Sequence, residues 1–237
     1  MKSKKRCVAF IFARGGSKGL PRKNIRLMNG TPLIGYSILI AKKCPSIDQV
    51  IVSTDDEEIA DIARQYGAEV PFIRPSNLAD DKSSELSAWK HAVAAYTTIF
   101  DTNFDIFVSL PPTSPLRSVD DIEACIDLYH VEQSDIVVTV KEAARSPFFN
   151  MVAKNSNGLC ELVNKAPDGT RCTRRQDAPV VYDMTTVAYV CAPEFITKSQ
   201  SIFDGKMKSV LIPDERAVDI DTELDFKFAE FLMSQRS

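Results

Sequence analysis

Short apolar runs alternate with segments of helical period through residues 7–140, and this alternation is the strongest constraint on the fold. The runs at 8–12, 49–53, 105–110 and 136–140 have strand length and composition. Between them lie helical patterns. Residues 31–32 look like a helix start, with Pro32 at the first helical position. Asp55 opens an acidic helix start before Ile59, Ile62, Ala63 and Tyr66, and Gly67 is a natural stop. Ser83 or Ser84 caps a helix that carries Leu86, Trp89, Val93 and Tyr96 on one face. Ser118 and Asp121 have capping-box-like spacing ahead of Ile122, Cys125, Ile126 and Tyr129. A β-α-β-α rhythm of this kind predicts an α/β fold: a mostly parallel sheet with helices on both faces, and ligands at the carboxyl ends of its strands.

With 237 residues, 44% of them hydrophobic, the chain suits one domain over 1–237, with room for a modest insertion. The rhythm breaks over about 141–183. That stretch is polar and turn-rich and carries Arg171, Arg174 and Arg175, so an inserted hairpin or arm is expected there. Residues 187–191 read as a strand returning to the sheet. Residues 222–225 cap a last helix, whose apolar face is expected to hold Leu224, Phe228, Phe231 and Leu232.

The net charge of −3 argues against nucleic acid or an anionic membrane as a general partner. No apolar run approaches membrane-spanning length. The apolar stretch near the start is too short for a signal peptide and runs into Arg14. Six cysteines form no CxxC pair and have no nearby histidine, which speaks against zinc and for a reducing, cytoplasmic setting.

Chemistry concentrates in two places. Directly after the first strand comes a loop with Arg14, Gly15, Gly16, Ser17, Lys18, Gly19, Arg22, Lys23, Asn24 and Arg26. It holds three glycines, five cations and no acid. Glycines let the backbone approach a ligand, and cations neutralise phosphate, so a triphosphate is the natural partner. The loop matches neither GxxxxGK[ST] nor GxGxxG. Just before the last helix, Asp219 and Asp221 flank Ile220. Alternate residues of an extended segment share a face, and such a pair can hold a hard cation beside phosphate oxygens. Asp55 and Asp56 are a rival pair by the same logic. The two histidines, His91 and His130, fall in helical patterns and read as packing or surface residues.

Four ordered motifs carry a resemblance. Residues 11–19 with Lys23-Asn24, then Arg74-Pro75, Leu78-Ala79 and Asp81, then residues 110–117 (LPPTSPLR), then residues 219–223 (DIDTE) together resemble the acylneuraminate cytidylyltransferases, the CMP-sialic acid synthetases. The resemblance implies a Rossmann-like, mostly parallel mixed sheet of the nucleotide-diphospho-sugar transferase type, with a small dimerisation arm. It further implies Mg²⁺, CTP as donor, a nine-carbon acidic sugar as acceptor, and a homodimer whose arm reaches the partner's site. By motif position, Arg14, Gly15, Gly16, Ser17, Lys23 and Asn24 would cradle the phosphates, and Arg74, Asp81, Ser83 and Ser84 would line the nucleoside side. Arg175 with Gln176 would meet the sugar carboxylate, and Tyr189 would line the sugar pocket. Asp219 and Asp221 would hold the metal. Lys23, Arg14 and Asp221 would serve catalysis.

The chain departs from the family pattern in three places. Pro111 stands where glutamine is common, Thr185-Thr186 where Asn-Gly is common, and Glu85 where serine is common. The first two leave the acceptor open among sialic, legionaminic, pseudaminic and related acids. A nucleotidyltransferase acting on another sugar acid or a sugar 1-phosphate, and a non-catalytic nucleotide-binding protein, are the alternative readings.

Overall fold

The first apolar run forms β1 (Cys7–Phe12) in the computed structural model, which describes residues 5–16, 19–79, 84–131, 133–165 and 169–236. After it come a ribbon of β2 (Leu27–Met28) and β3 (Thr31–Pro32), then α1 (Leu33–Lys43), β4 (Gln49–Ser53), α2 (Glu57–Gln65), α3 (Glu85–Phe100), β5 (Ile106–Ser109), α4 (Val119–Val131) and β6 (Ile136–Glu142). The hairpin of β7 (Val152–Lys154) and β8 (Cys160–Leu162) precedes β9 (Tyr182–Cys191), α5 (Pro193–Lys198), β10 (Met207–Leu211) and α6 (Glu223–Ser234).

One six-stranded sheet runs in the order β10-β6-β9-β5-β1-β4. β1 pairs parallel with β4 on one side and β5 on the other, while β9 runs antiparallel to β5. The chain thus leaves β1 first toward β4 and later returns to its opposite edge as β5. A crevice opens where the strand order reverses in this way, beyond the carboxyl ends of β1 and β5.

The pleat of β1 explains the two layers of helix. Cys7, Ala9 and Ile11 point into a cluster with Ile34, Ile38, Ile59, Ile122 and Ile126, from α1, α2 and α4. The alternate residues Phe10 and Phe12 face the other way. There Phe10 stacks on Phe107 at 4.9 Å, and Trp89 and Tyr96 of α3 complete the aromatic layer. A smaller cluster of Leu20, Met28, Leu33, Leu116, Ile220, Phe226 and Ala229 lies under the basic loop and the last helix.

Cα proximity divides the chain into two compact units, Met1–Thr139 with Thr185–Ser237, and Val140–Met184. Within the second, Gly158 closes the β7–β8 hairpin at φ 79°, and the Asn155 Oδ1 accepts from the N–H groups of Asn157 and Leu159, both at 3.0 Å.

Helix starts follow local chemistry. Asp56, Ser84 and Thr222 cap α2, α3 and α6, and Ser118 and Asp121 bond reciprocally at the start of α4. Two expectations are corrected. Pro32 is not the first helical residue of α1. It is extended (φ −62°, ψ 143°) and pairs with Leu27, so the helix starts at Leu33. The apolar face of α6 also differs in part: Leu232 packs on the Leu20–Leu116 cluster as expected, but the other three residues do not. Leu224, Phe228 and Phe231 are 74%, 51% and 59% exposed, whereas Phe226 is 3% exposed and Ala229 fully buried. Apolar residues lie nearly all round this helix, so periodicity alone does not select the buried face. Phe226 is selected by the Leu20–Leu116 cluster and by the Arg26 guanidinium, 4.4 Å from its ring centre.

This assignment of faces predicts unequal stability losses. Phe226→Ala should cost about 3–5 kcal/mol in chemical denaturation, and Phe228→Ala about 0.5 kcal/mol or less. Equal losses would show that the helix buries the other side.

Candidate active site

A cleft of about 600 Å³ opens over the carboxyl ends of β1 and β5. Phe12 and Arg14 enter it from the end of β1, and Pro111, Pro112 and Thr113 from the end of β5. Arg74, Leu78 and Ala79 form another wall, Ser84, Glu85 and Ala88 bring in the start of α3, and Asp221 closes the cleft opposite Gly19, Leu20, Lys23 and Asn24.

The basic loop is built from its own hydrogen bonds. Ala13 N–H extends the β1–β4 register to the Ser53 carbonyl, and Gly15 N–H donates to Asp55 Oδ1 at 3.1 Å. The buried Asn24 amide donates to the Arg14 carbonyl at 2.9 Å, so Asn24 fixes the shape of the loop as well as lining the cleft. A side chain at Gly15 would collide with the Asp56 carboxylate, which is what makes glycine necessary there. Gly16 has open space around it. Ser17, Lys18, Asp81 and Ser83 lie outside the described residues.

The cations of the loop divide into two groups. Arg22 is spent on α2, pairing with Asp56 at 2.5 Å and with Glu58. Arg26 forks onto Glu223 at 2.5 and 2.8 Å. These two hold structure together, so part of the loop's cation excess is taken up by the protein's own acids. Arg14 and Lys23 face the cleft, joined by Arg74 from outside the loop. Arg74 is 5% exposed and lies 3.8 Å from Asp55. Burial lowers its pKa, against which Asp55 acts.

The rival acid pair is thereby accounted for. Asp55 organises the loop and Arg74. Asp56 caps α2 through the Ile59 N–H at 3.1 Å. Burial raises the pKa of Asp56, but the Ile59 N–H and Arg22 outweigh it and hold the carboxyl below its usual range.

Asp219 and Asp221 sit where the basic loop meets the last helix. The Lys23 ammonium donates to the Ile220 carbonyl at 2.5 Å and to Asp221 Oδ1 at 3.0 Å. Gly19 makes this approach feasible, because a Cβ there would strike the Asp221 carbonyl oxygen. Ile220 is fully buried between the two acids, as alternation along an extended segment requires. Asp221 is open to the cleft, its side chain 74% exposed. Asp219 turns inward, and its Oδ1 is buried with no hydrogen-bond donor. A carboxylate oxygen in that state lacks the partner that its burial demands, and a hard cation would supply it. No group of three or more His, Cys, Asp or Glu surrounds one point among the described residues. A metal here would therefore draw on two carboxylates, with phosphate and water completing its shell.

Ser84 lies on the cleft and caps α3, accepting from the Ser87 N–H at 3.2 Å. Tyr189, which the resemblance gives to the sugar pocket, is not among the residues lining this cleft. It is 4% exposed, packed edge-on to Trp89 at 5.4 Å, and burial raises its pKa, with Glu85 and Asp219 adding to the rise. Arg175 and Gln176 belong to the second unit and line a hollow of about 360 Å³ with Glu142, Ser146 and Val180. The neighbouring Arg174 is engaged by Asp177 at 2.7 and 2.9 Å, which leaves Arg175 as the cation of this group that faces the hollow. His91 packs edge-on to Phe72.

Sequence reasoning noted Glu85 only as a departure from a pattern. Solvent reaches Glu85 across the cleft, but protein encloses its other sides. Burial pushes its carboxyl up to about 7, the Trp89 indole opposes the rise and Asp219 adds to it. The folded state thus holds this proton more tightly than the unfolded chain does. The associated stability is complete below the ordinary pKa of 4.5 and is lost as pH rises through about 7. Glu85→Gln should remove that loss, so its melting temperature relative to the parent should climb between pH ~5 and ~8. Parallel melting profiles would contradict the raised carboxyl.

Residues 8–201 match a family described as cytidylyltransferase. The chain is 38% identical over 228 residues to the CMP-N,N′-diacetyllegionaminic acid synthase of Campylobacter jejuni subsp. jejuni serotype O:2, a match covering 96% of this chain and 94% of that one. It is 31% identical over 225 residues to the pseudaminic acid cytidylyltransferase of the same organism, covering 95% of each. A third relative, the N-acylneuraminate cytidylyltransferase of Escherichia coli O18:K1:H7, is 29% identical over 231 residues, which are 97% of this chain and 52% of that one. Among solved structures, a CMP:2-keto-3-deoxy-manno-octonic acid synthetase complexed with CTP superposes with a TM-score of 0.71, covering 98% of this chain and all of that one. At 16% identity, the likeness speaks for the fold. A phosphate-suited loop and the acid Asp221 meet in one cleft of an α/β sheet, and the family match spans most of the chain: this protein belongs to the cytidylyltransferase family.

Proposed function

We propose that this protein transfers CMP from CTP to the anomeric 2-hydroxyl of a nonulosonic acid, giving a CMP-sugar and pyrophosphate. One observation carries the reading: the Lys23 ammonium bridges to Ile220 and Asp221, so the cationic loop and the acidic segment before the last helix address the same space. The relatives named for legionaminic, pseudaminic and N-acylneuraminic acid support the acceptor class.

In this reading, the hydroxyl oxygen attacks the α-phosphorus as the bond from it to the bridging oxygen of pyrophosphate breaks. The protein positions both reactants and offsets charge, and it needs no covalent nucleophile. Arg14 and Lys23 lie against the triphosphate and balance the negative charge that grows on the leaving group. Asp219 and Asp221 would hold Mg²⁺, which supplies charge neutralisation at phosphate oxygens when bound. In this reading Asp221 would accept the hydroxyl proton. Arg74, Ser84 and the start of α3 bound the nucleoside side. Arg175 and Gln176 grip the sugar carboxylate, serving the cleft of the partner in a homodimer, and the enzyme works in the cytoplasm. Among the described residues, no helix is long and apolar enough to cross a membrane.

Incubation with CTP, Mg²⁺ and a panel of nonulosonic acids should yield a CMP-sugar, identified by mass, with release of pyrophosphate. CTP binding without product, or turnover with sugar 1-phosphates alone, would overturn the proposal. Asp221→Ala and Lys23→Ala should each lower kcat by about 10²–10³, and parental turnover in either would remove its assigned role. Arg175→Ala should chiefly raise KM for the sugar acid. Weakened CTP binding with an unchanged sugar KM would place Arg175 elsewhere.

A further inference from the structure

The turn after β5 ends in Arg117, a residue 3% exposed whose guanidinium is shut away from solvent. Nη1 donates to Ser37 Oγ of α1 at 2.7 Å. Nη2 donates to the Pro111 carbonyl and, at 3.1 Å, to the Thr186 carbonyl of β9. Arg117 makes no ion pair among the described residues. Burial pulls its pKa down, and the charges of Asp121 and Asp219 act against that fall. An apolar side chain of similar length would fill this space without a desolvation penalty. What the guanidinium adds is direction, since its planar fork fixes three acceptors on three separate elements.

From those acceptors the contacts continue without a gap to the acidic pair. The Thr186 hydroxyl meets Ser114 Oγ at 2.7 Å and Thr113 Oγ1 at 3.3 Å. The Thr113 carbonyl accepts the Ile220 N–H at 2.9 Å. Ile220 is therefore gripped on both sides of its peptide group chain, by the turn through its N–H and by Lys23 through its carbonyl. Asp219 and Asp221 project from either side of this twice-held residue. The outer end of the same segment is anchored separately, where Arg216 forks onto Asp121 at 2.9 and 3.0 Å.

We propose that Arg117 is a positioning residue for the metal-holding segment: through Pro111, Thr186 and Thr113 it sets the place of Ile220, and with it the geometry of Asp219 and Asp221. The inference rests on the reading that those two carboxylates bind the metal. It assigns Arg117 a role in metal affinity that a residue needed only for packing would not have. Supporting groups of this kind commonly change metal affinity by about 10-fold or more when altered.

The test is Mn²⁺ binding to the full-length protein in saturating CTP, followed by electron paramagnetic resonance, with melting temperature recorded alongside. The variants are Arg117→Lys, which keeps the charge and loses the fork, and Thr186→Val, which keeps shape and cuts the hydroxyl bridge while leaving Arg117 intact. Asp219→Asn reports on the metal reading itself. Arg117→Lys is expected to weaken Mn²⁺ binding about 10-fold, with Thr186→Val weakened in the same direction and Asp219→Asn weakened at least as much as either. Should the lysine variant fail to fold, Thr186→Val decides alone. Parental Mn²⁺ affinity in both relay variants, with a loss only in Asp219→Asn, overturns the role of Arg117 and leaves the metal site standing. Parental affinity in Asp219→Asn overturns the metal site, and the proposal with it.

Discussion

The ammonium of Lys23 joins two stretches of chain that lie 197 positions apart. Its bonds to the Ile220 carbonyl and the Asp221 carboxylate bring the loop after the first strand against the segment before the last helix. Without that junction the cleft has one charged wall instead of two. The junction depends in turn on Gly19, whose missing side chain leaves room for the Asp221 carbonyl, and on the apolar cluster of Leu20, Leu116, Ile220 and Phe226 beneath it. A polar contact that is partly open to solvent contributes modestly to stability. The burial of Ile220 and Phe226 is what holds the segment down, and Lys23 gives the join its direction.

The same economy governs the other charges around the cleft. Arg22 and Arg26 are fully committed to Asp56, Glu58 and Glu223, so they brace the loop from outside. Asp55 and Asp56 brace it from below. Among the described residues, a small set remains directed inward: Arg14, Lys23 and Arg74 on the cationic side, and the carboxyl groups of Asp221 and Glu85 on the other. A cleft so arranged can accept a highly charged ligand without rebuilding its walls, which is the preorganisation that phosphoryl transfer asks of a protein.

Much of this was legible in the residues, for identifiable reasons. Strands β1, β4, β5 and β6 were readable because buried strands of an α/β sheet are continuous apolar runs, and the helix starts near Asp55, Ser83 or Ser84, and Thr222 because capping is a local hydrogen bond. The basic loop was readable from charge; spacing alone left Asp219 and Asp221 level with Asp55 and Asp56, and the motif resemblance favoured the later pair. What escaped depends on partners distant in sequence. The division of the described loop cations into bracing and facing groups is decided by Glu58 and Glu223, which no local pattern connects to Arg22 and Arg26. The buried face of α6 is decided by the neighbouring cluster. Tyr189 was expected at the sugar pocket, but its place is set by the Trp89 ring behind it. Arg117 read as the end of a motif, because its acceptors, Ser37 and Thr186, come from α1 and β9.

Ile220 has a second consequence beyond the area it buries. Side chains alternate along an extended segment, so a slip of one position would drive a carboxylate into the apolar cluster and turn the isoleucine out to water. Burying an unpaired carboxylate costs several kcal/mol at least, enough to keep the misthreaded arrangement below about one molecule in a thousand. The hydrophobic residue between the two acids therefore acts as a detent, keeping this stretch from settling out of step.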